Sequence, residues 1–470
     1  MRRWTRLTLM LLSALVVLSL ACCASLPTLS PELSRRARPP PSIDGPGGPL
    51  SAAQAKAVLQ RLSQGGQATD IFERHLALEE AINGSPLSAG NAVQLLQDGP
   101  ATYRAMYAAI LAAKDHINME TYILDDDEVG QRFAQALITK QRQGVQVNLL
   151  HDSAGTVATP AVFFESLSAA GIAVLAFNPL NPIHALGAGN DWELNQRDHR
   201  KLLVVDGRIA FLGGINISSV YSGGSFKSGS RAAKKANAKN GLAWRDTDLQ
   251  LQGPVVADLQ RLFMASWAAQ KGPALAGKNY FPPLPARGRE VVRAIGSSPD
   301  EPFSLIYATL LSAIASAETT VHLSNAYFVP DPQLLKALTD ATARGVEVKL
   351  ILPGQTDSWL VLQAGHASYE PLLRAGVKIF ERQGAIMHAK TASIDGVWST
   401  VGSTNLDWRS FLHNFELNVV VVGADFGGQM RKQFERDLQA STQITLAQWQ
   451  QRPLSARLQE WFANAWAYWL

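Results

Sequence analysis

The sequence predicts an α/β protein made of two duplicated halves, packed about a pseudo-twofold axis with one shared active site. One observation is a repeated motif, "HRKLLVVDGRIAFLGGIN" from His199 and "HAKTASIDGVWSTVGSTN" from His388. The other is that short β-branched runs alternate with longer helical patterns in both halves, which is typical of α/β folds. Such halves can bring equivalent motifs to a common interface.

The amino terminus has the pattern of an export signal. A basic start precedes an apolar run, Leu7 to Ala21, that is shorter than the about 20 residues a spanning helix needs. Cys22 and Cys23 follow directly and are the only cysteines. We therefore assign residues 1–22 to a lipoprotein-like export segment with Cys22 as the lipid anchor; lipidation of Cys23, an ordinary cleaved signal and an uncleaved anchor are the alternatives.

Residues 23–70 are predicted to form a flexible tether. The stretch from Pro27 to Leu50 is rich in Pro, Gly and Arg and offers no apolar face to bury. Next to a lipid anchor, such a tether would hold the folded part at a membrane. We expect a protein of the bacterial cell envelope, membrane-anchored and facing the periplasm.

The duplication extends beyond the motif. We assign the first half to residues 71–275 and the second to 285–470, and we interpret an insertion at about 221–242 as a solvated loop, with binding of anionic headgroups as the alternative. The matching segments occur in the same order: 117–130 with 321–334, 144–152 with 345–353, and 167–177 with 372–382.

Each motif supplies one imidazole and one ammonium group. On a strand, alternate residues share a face, so His199 and Lys201 point the same way, as do His388 and Lys390. Together they would bind a phosphate or phosphodiester, with one imidazole attacking phosphorus and the other transferring protons. We expect no metal and no cofactor, because lysine and asparagine groups take over the charge stabilisation.

The motif tails end in small residues followed by Asn216 or Asn405. The small residues would let the backbone approach a ligand, and the two amides would bind phosphoryl oxygens. Asp206 and Asp395 complete the motifs at Asp-Gly turns and are included in the catalytic set. The odd spacing of Asp206 from His199 nevertheless makes it a poor partner for that imidazole.

A nucleophilic histidine needs a carboxylate on its second ring nitrogen. Glu416 in "HNFELNVVVVG" is our candidate for His388. Aligning that stretch with "WRDTDLQLQG" on the closing glycine gives Asp246 for His199, with Asp248 as the alternative.

These motifs resemble the phospholipase D superfamily, whose members carry two such motifs in duplicated halves sharing one active site. The resemblance runs from about Leu76 to the C terminus. It implies that His199 or His388 is the nucleophile, often the first in this family, and that the lysines and asparagines named above bind the phosphoryl oxygens. The chain is most similar to the bacterial cardiolipin synthase-like branch, through "METYILDDDEVG", "DHRKLLVVDGRIAFLGGIN", "WRDTD", "NAYFVPD", "MHAKTASIDGVWSTVGSTNLDWRS" and "NFELNV".

That branch implies transfer of a phosphatidyl group between two phosphatidylglycerols at a membrane surface, with release of glycerol. Hydrolysis to phosphatidic acid, an exported phosphodiesterase or nuclease, and a non-catalytic membrane adaptor are the alternatives. A net charge of only +4 argues against nucleic acid as a partner. Tyr327 and Phe328 resemble pocket-wall residues of the branch, with core packing as the alternative.

The C terminus carries an apolar stripe at helical spacing. Its aromatic residues suit a membrane interface, and a terminal helix docked on the core is the alternative. The stripe consists of Leu454, Leu458, Trp461, Phe462, Ala465 and Trp469.

Overall fold

A computed structural model describes residues 40–64, 69–180, 195–223 and 242–470. The predicted export segment with Cys22 lies outside the described residues, as does most of the insertion at 221–242. Within the described ranges, no helix is both long enough and apolar enough to cross a membrane.

Helices and strands alternate through the first half. In chain order the elements are β1 (Ile43–Gly45), β2 (Gly48–Pro49), α1 (Ala52–Gln64), a π-helix (Ile71–His75), α2 (Leu76–Asn83), β3 (Leu87–Leu96), α3 (Gly99–Ala112), β4 (His116–Thr121), α4 (Glu128–Arg142), β5 (Gln146–Asp152), α5 (Ala161–Ala169), β6 (Ala173–Phe177), β7 (Arg197–Asp198), β8 (Leu202–Val205), β9 (Ile209–Gly213), a 3₁₀ turn (Ser219–Tyr221), β10 (Trp244–Arg245), β11 (Asp248–Gln252) and α6 (Val256–Ala269).

The second half repeats this order. Its elements are β12 (Glu290–Ser297), α7 (Leu305–Ala315), β13 (Thr320–Asn325), α8 (Pro332–Ala343), β14 (Glu347–Pro353), α9 (Trp359–His366), α10 (Tyr369–Arg374), β15 (Lys378–Arg382), β16 (Ile386–Met387), β17 (Lys390–Ile394), β18 (Trp398–Gly402), α11 (Trp408–Leu412), β19 (Asn414–Val422), α12 (Ala424–Gln439), β20 (Ser441–Ile444), α13 (Leu446–Gln450), α14 (Leu454–Asn464) and a 3₁₀ turn (Ala467–Trp469).

The two halves have the same sheet topology. The strand order is β6-β5-β4-β8-β9-β11-β3 in the first half and β15-β14-β13-β17-β18-β19-β12 in the second, with the first three strands of each parallel. The equivalent strands β3 and β12 pair antiparallel and join the two sheets. The prediction of a duplicated α/β fold is confirmed.

An aspartate in each of the matched segments 117–130 and 321–334 explains why a helix starts there. Asp127 accepts hydrogen bonds from the backbone N–H groups of Val129 and Gly130 at the start of α4. Asp331 caps α8 in the same way, with Pro332 in the first turn. Both aspartates are N-caps that satisfy otherwise unpaired N–H groups.

A shared apolar core holds the halves together. Leu249 and Phe263 of the first half are buried in the same cluster as Val292 and Leu417 of the second. Because a packed core resists relative motion, this cluster fixes the position of one half on the other.

The tether prediction is wrong for residues 43–64, which fold against β3 of the first half and the core of the second half. Ile43 is only 1% exposed and pairs with Leu87 of β3, while Ala55 and Leu62 of α1 are buried in the second-half core. Pro46 and Gly47 form the turn between β1 and β2. Composition was misleading because a few apolar residues are enough to anchor a short segment.

The predicted boundary of the first half at residue 71 also needs correction. Ile71 and Leu76 are buried in the second-half core together with Trp398. A buried ion pair between Glu79 and Arg293 of β12 ties the same segment to the second half. Residues 71–83 therefore pack with the second half, although they precede the first half in the chain.

Candidate active site

Two short parallel strand pairs connect the halves and build the site. β7, which ends just before His199, pairs with the start of β19, and β10 pairs with β16, which ends just before His388. The backbone N–H of each histidine donates to a carbonyl of the facing strand, at 2.9 and 2.8 Å. One residue further along, this register places Glu416 beside His199 and Asp246 beside His388.

The carboxylates predicted from the sequence lie in the site, but their predicted pairing is wrong. Nδ1 of His199 lies 3.0 Å from Oε1 of Glu416, and Nδ1 of His388 lies 2.6 Å from Oδ2 of Asp246. Each carboxylate reaches across to the other half because the strands that carry them pair between halves. Asp248, the alternative to Asp246, accepts the backbone N–H of Ile215 instead.

The regular strand predicted through each motif is interrupted at the histidine. β8 begins only at Leu202, and β17 begins at Lys390, whereas the runs "LLVV" and "TASI" form strands as predicted. The interruption frees the backbone of each histidine to pair with the opposite half.

Burial and hydrogen bonding set the charge states of these groups. Burial lowers the pKa of His199 to about 4 and holds the pKa of His388 well below its ordinary value. Burial raises the pKa of Asp246 to about 6. Burial would also raise the pKa of Glu416, but His199, Lys201 and a serine hydroxyl outweigh it and lower the pKa to about 2. With Nδ1–H donated to a carboxylate, the lone pair of each neutral imidazole is on Nε2.

Two buried lysines contact the same histidines. Nζ of Lys201 donates to the backbone carbonyl of His199, and Nζ of Lys390 lies 3.0 Å from Nδ1 of His388. Burial lowers the pKa of Lys201 to about 7, assisted by the nearby charge of Lys390, and burial lowers the pKa of Lys390 to about 8. Two ammonium groups in one small volume favour binding of an anion.

Asn216 and Asn405 are both buried, but their amides have different surroundings. Nδ2 of Asn216 donates to the hydroxyl of Tyr221 at 3.0 Å, and its Oδ1 accepts the backbone N–H of Ile123. The Tyr221 hydroxyl lies 3.3 Å from Nδ1 of His388. Oδ1 of Asn405 has no hydrogen-bond partner within the described part of the chain. Binding of phosphoryl oxygens by these amides stays a prediction.

Asp206 and Asp395 are turn residues, so including them in the catalytic set was wrong. They occupy equivalent Asp-Gly turns with positive φ angles of 53° and 52°. The carboxylate of Asp206 accepts backbone N–H groups of residues 114–116, and that of Asp395 accepts those of residues 318–320. Both groups lie where β4 and β13 begin, at the edge of the sheet opposite the imidazoles.

The small residues of the motif tails contact the two carboxylates and hold them in position. A Cβ atom on Gly214 would lie 2.3 Å from Oδ1 of Asp246, so only glycine fits there. The equivalent residue in the second half, Ser403, donates its hydroxyl to Glu416. These small residues were expected to approach a ligand, but Gly214 and Ser403 instead pack against Asp246 and Glu416.

Aromatic side chains surround the imidazoles, and two of them, Tyr122 and Trp244, were not predicted as site residues. The ring of Tyr122 stands edge-on to the first-half imidazole at 5.0 Å, and Trp244 lies 4.6 Å from the second-half imidazole. Tyr327 lies 6.3 Å from the latter, whereas Phe328 is buried in the core. Tyr122 and Tyr327 both lie in the matched segments 117–130 and 321–334, and this repetition could have identified them as site residues from the sequence.

The side chains that could bind a metal ion do not cluster within the described ranges. No group of three or more His, Cys, Asp or Glu side chains there could hold a metal ion. The charged side chains within hydrogen-bond distance of the imidazole nitrogens are Glu416, Asp246 and Lys390.

Known proteins share this duplicated architecture. The family described as "Cardiolipin synthase, PLD-like domain" matches residues 106–224 and 310–438, once in each half. Cardiolipin synthase of Geobacillus kaustophilus is 33% identical over 82% of this chain and 74% of its own length. Cardiolipin synthase 1 of Bacillus cereus is 31% identical, over 83% and 76%. The crystal structure of phosphatidylserine synthase from Haemophilus influenzae has a TM-score of 0.57 at 14% identity, covering 83% of this chain and 96% of that one, and supports the fold.

Proposed function

The chain belongs to the cardiolipin synthase family of phospholipase D-like proteins, and from that premise we propose how it transfers a phosphatidyl group. It is a phospholipase D-type phosphatidyltransferase whose activity is cardiolipin synthesis. Donor and acceptor are both phosphatidylglycerol, and glycerol is released. The observation that carries the mechanism is the pair of imidazoles, each held at Nδ1 by a carboxylate from the other half.

In the first step, Nε2 of one imidazole attacks the phosphorus of phosphatidylglycerol. A nitrogen–phosphorus bond forms, and the bond from phosphorus to the glycerol oxygen breaks. The second imidazole is neutral in the free enzyme and takes up a proton when the anionic phosphate binds beside it, because a nearby negative charge raises the pKa of an imidazole. It gives that proton to the departing glycerol oxygen. The enzyme then carries a phosphatidyl group on one histidine, and the other histidine is neutral.

In the second step, the neutral imidazole removes a proton from the glycerol hydroxyl of a second phosphatidylglycerol. The resulting oxygen attacks phosphorus, the nitrogen–phosphorus bond breaks, and cardiolipin forms. Both imidazoles return to their starting states. Water in place of the second lipid would give phosphatidic acid, so exclusion of water decides between synthesis and hydrolysis.

Lys201 and Lys390 neutralise the phosphoryl oxygens during both steps. Their Nζ atoms lie beside the histidines, in a buried setting where an ion pair with phosphate is strong. Glu416 and Asp246 hold the tautomer of each ring and stabilise the imidazolium that forms.

The enzyme acts at the bacterial envelope membrane from the periplasmic side, held there by a lipid on Cys22. The apolar run from Leu7 to Ala21, followed directly by the cysteines, supports this placement. Mass spectrometry of the mature protein tests it, since a diacylglyceryl cysteine at position 22 is expected. An intact N-terminal methionine would contradict it.

Product analysis tests the proposed reaction. The full-length protein is mixed with phosphatidylglycerol vesicles in the presence of a metal chelator. Cardiolipin and glycerol in equal amounts are expected, and both are lost in His199→Ala and in His388→Ala. His322→Ala is the matched control, because that histidine packs on Phe434 outside the site and should keep turnover. Phosphatidic acid with glycerol would identify a hydrolase, and the absence of any product would overturn the proposal.

A further inference from the structure

The exposed large apolar side chains lie mainly at one edge of the structure. Of those in the described part of the chain, only Leu111 and Phe281 lie at the opposite edge, near the start of β4. Several follow the C-terminal ends of the parallel strands β5, β6 and β14, and the others form a cluster in residues 454–469. A concentration of exposed apolar side chains on one surface indicates a binding site for a protein, a membrane or a ligand.

That edge is the one onto which the active site opens. Tyr122, which directly follows β4, stands against His199, and Asp152 at the end of β5 accepts the backbone N–H of Asp198. Because parallel strands end at a common edge, the loops after β5 and β14 lie beside the site.

Each half exposes an apolar side chain in the loop that follows β5 or β14, which are equivalent strands. Val157 is exposed two residues after Gly155, which packs against the backbone of Tyr122. Trp359 is exposed two residues after Asp357, which accepts the hydroxyl of Tyr327. The pseudo-twofold relation thus places an apolar side chain on either side of the site.

The C-terminal helix α14 adds the largest apolar area. Its inner face packs through Ala463 on Val329 and Ala364, so the helix is fixed to the loop that follows β13. Its outer face leaves Trp461 74% exposed and Leu458 66% exposed. Of the two alternatives for this stripe, the structure therefore shows an exposed face on a docked helix.

We propose that this edge is a docking face for a lipid bilayer, defined by Val157, Val162, Trp359, Leu458, Trp461 and Phe462, which seats the active site on the membrane. The inference rests on the proposed function, because the phosphate of a phospholipid lies at the depth that interfacial tryptophans occupy. Trp466 and Trp469 extend the aromatic surface. Arg457, exposed on α14, would attract anionic lipid headgroups.

Tryptophan quenching in full-length protein tests the position of the face. Vesicles of phosphatidylglycerol with brominated acyl chains should quench the fluorescence of wild type, and Trp461→Ser with Phe462→Ser should remove part of that quenching. The double variant Leu111→Ser with Phe281→Ser is the matched control, since it alters two exposed apolar side chains at the opposite edge. The difference between the variants reports on α14 even if the amino terminus also holds the protein on the vesicle.

Kinetics provide the second measurement. We compare turnover of phosphatidylglycerol in vesicles with turnover of dihexanoyl-phosphatidylglycerol below its micelle concentration. The ratio of vesicle to monomer rates should fall about tenfold in the Trp461 and Phe462 variant and stay unchanged in the control. An unchanged ratio with unchanged quenching would overturn the docking face.

A second copy of the chain is the competing occupant. Concentration-dependent dimers that dissociate in the Trp461 and Phe462 variant, without lipid quenching, would assign the face to self-association and overturn the inference. Quenching without turnover of either substrate would leave the docking face in place while rejecting the proposed function. Turnover without quenching would support the proposed function and overturn the docking face.

Discussion

Glu416 in the second half accepts a hydrogen bond from Nδ1 of His199 in the first half at 3.0 Å. The mirrored contact joins Asp246 of the first half to His388 of the second at 2.6 Å. Each imidazole is thus oriented by the half that does not carry it. Neither half alone contains a complete histidine–carboxylate pair, which gives a physical reason for the duplicated halves to remain in one rigid body.

The crossed contacts predict which variants share a defect. A phosphatidyl ester of p-nitrophenol needs no proton on its leaving group, so it separates attack by the nucleophile from proton transfer. The accumulation of labelled phosphoenzyme should be the same in Glu416→Gln as in His199→Ala. It should likewise be the same in Asp246→Asn as in His388→Ala. Each carboxamide variant should lower kcat on phosphatidylglycerol about 10²- to 10⁴-fold.

Quench-flow with radiolabelled lipid measures both quantities. Thermal unfolding should confirm that all four variants are folded. Grouping of Asp246→Asn with His199→Ala would contradict the crossed arrangement.

Asp206→Asn and Asp395→Asn should lower stability and leave the chemistry intact. Each carboxylate binds three backbone N–H groups at a turn, and asparagine tolerates the positive φ while weakening those bonds. We expect a loss of about 1–3 kcal/mol in the free energy of unfolding for each variant. Denaturant titration measures it, and kcat per folded molecule should match wild type. A loss of turnover in fully folded protein would restore these residues to the catalytic set.

Gly214→Ala should inactivate the enzyme through Asp246. The added methyl group would lie 2.3 Å from the Asp246 carboxylate and force it away from His388. We expect kcat to fall about 100-fold or more, as for loss of a general acid–base partner. Gly428→Ala is the matched control, because a Cβ there meets nothing within 4 Å and alanine favours helix α12. Equal activity of the two variants would contradict the close packing of Gly214.

The rate should fall at alkaline pH as the lysines lose their protons. Burial lowers the pKa of Lys201 to about 7 and that of Lys390 to about 8 in the free enzyme. A lysine is charged below its pKa, so binding of the phosphate is strong at lower pH and is lost as pH rises through this range. Above pH 8, kcat/KM should fall by at least about tenfold per pH unit.

The pH profile of kcat/KM for phosphatidylglycerol measures this limb. Lys201→Arg keeps a charge at every accessible pH, so its profile should retain only the contribution of Lys390 and should move the limb upward. An unchanged limb in Lys201→Arg would exclude Lys201 as its cause.

The sequence by itself was enough to predict the architecture and the reacting groups. Repeated segments with the same order of β-branched runs and helical patterns indicated two α/β halves, because periodicity is a local property of the chain. The two His-x-Lys motifs and the carboxylates Asp246 and Glu416 followed from the same repetition. These features need no knowledge of how the halves pack.

Only the tertiary structure decided which carboxylate serves which histidine. Aligning one half with the other shows that Asp246 and Glu416 are equivalent, but equivalence is the same for crossed and uncrossed contacts. The pairing of β7 with β19 and of β10 with β16 settles the choice, since strand pairing over long separations is not encoded in local pattern.

The sequence also did not predict which residues of the amino-terminal segment are buried. Ile43 and the helix α1 lie in the predicted tether, yet Ile43, Ala55 and Leu62 are buried in the second-half core. The aspartates of the motifs bind turns at the far edge of the sheet. A residue's role depends on what surrounds it, and those surroundings come from distant parts of the chain. The sequence therefore determined the chemical groups and their repetition, and the packing of one half against the other determined their partners.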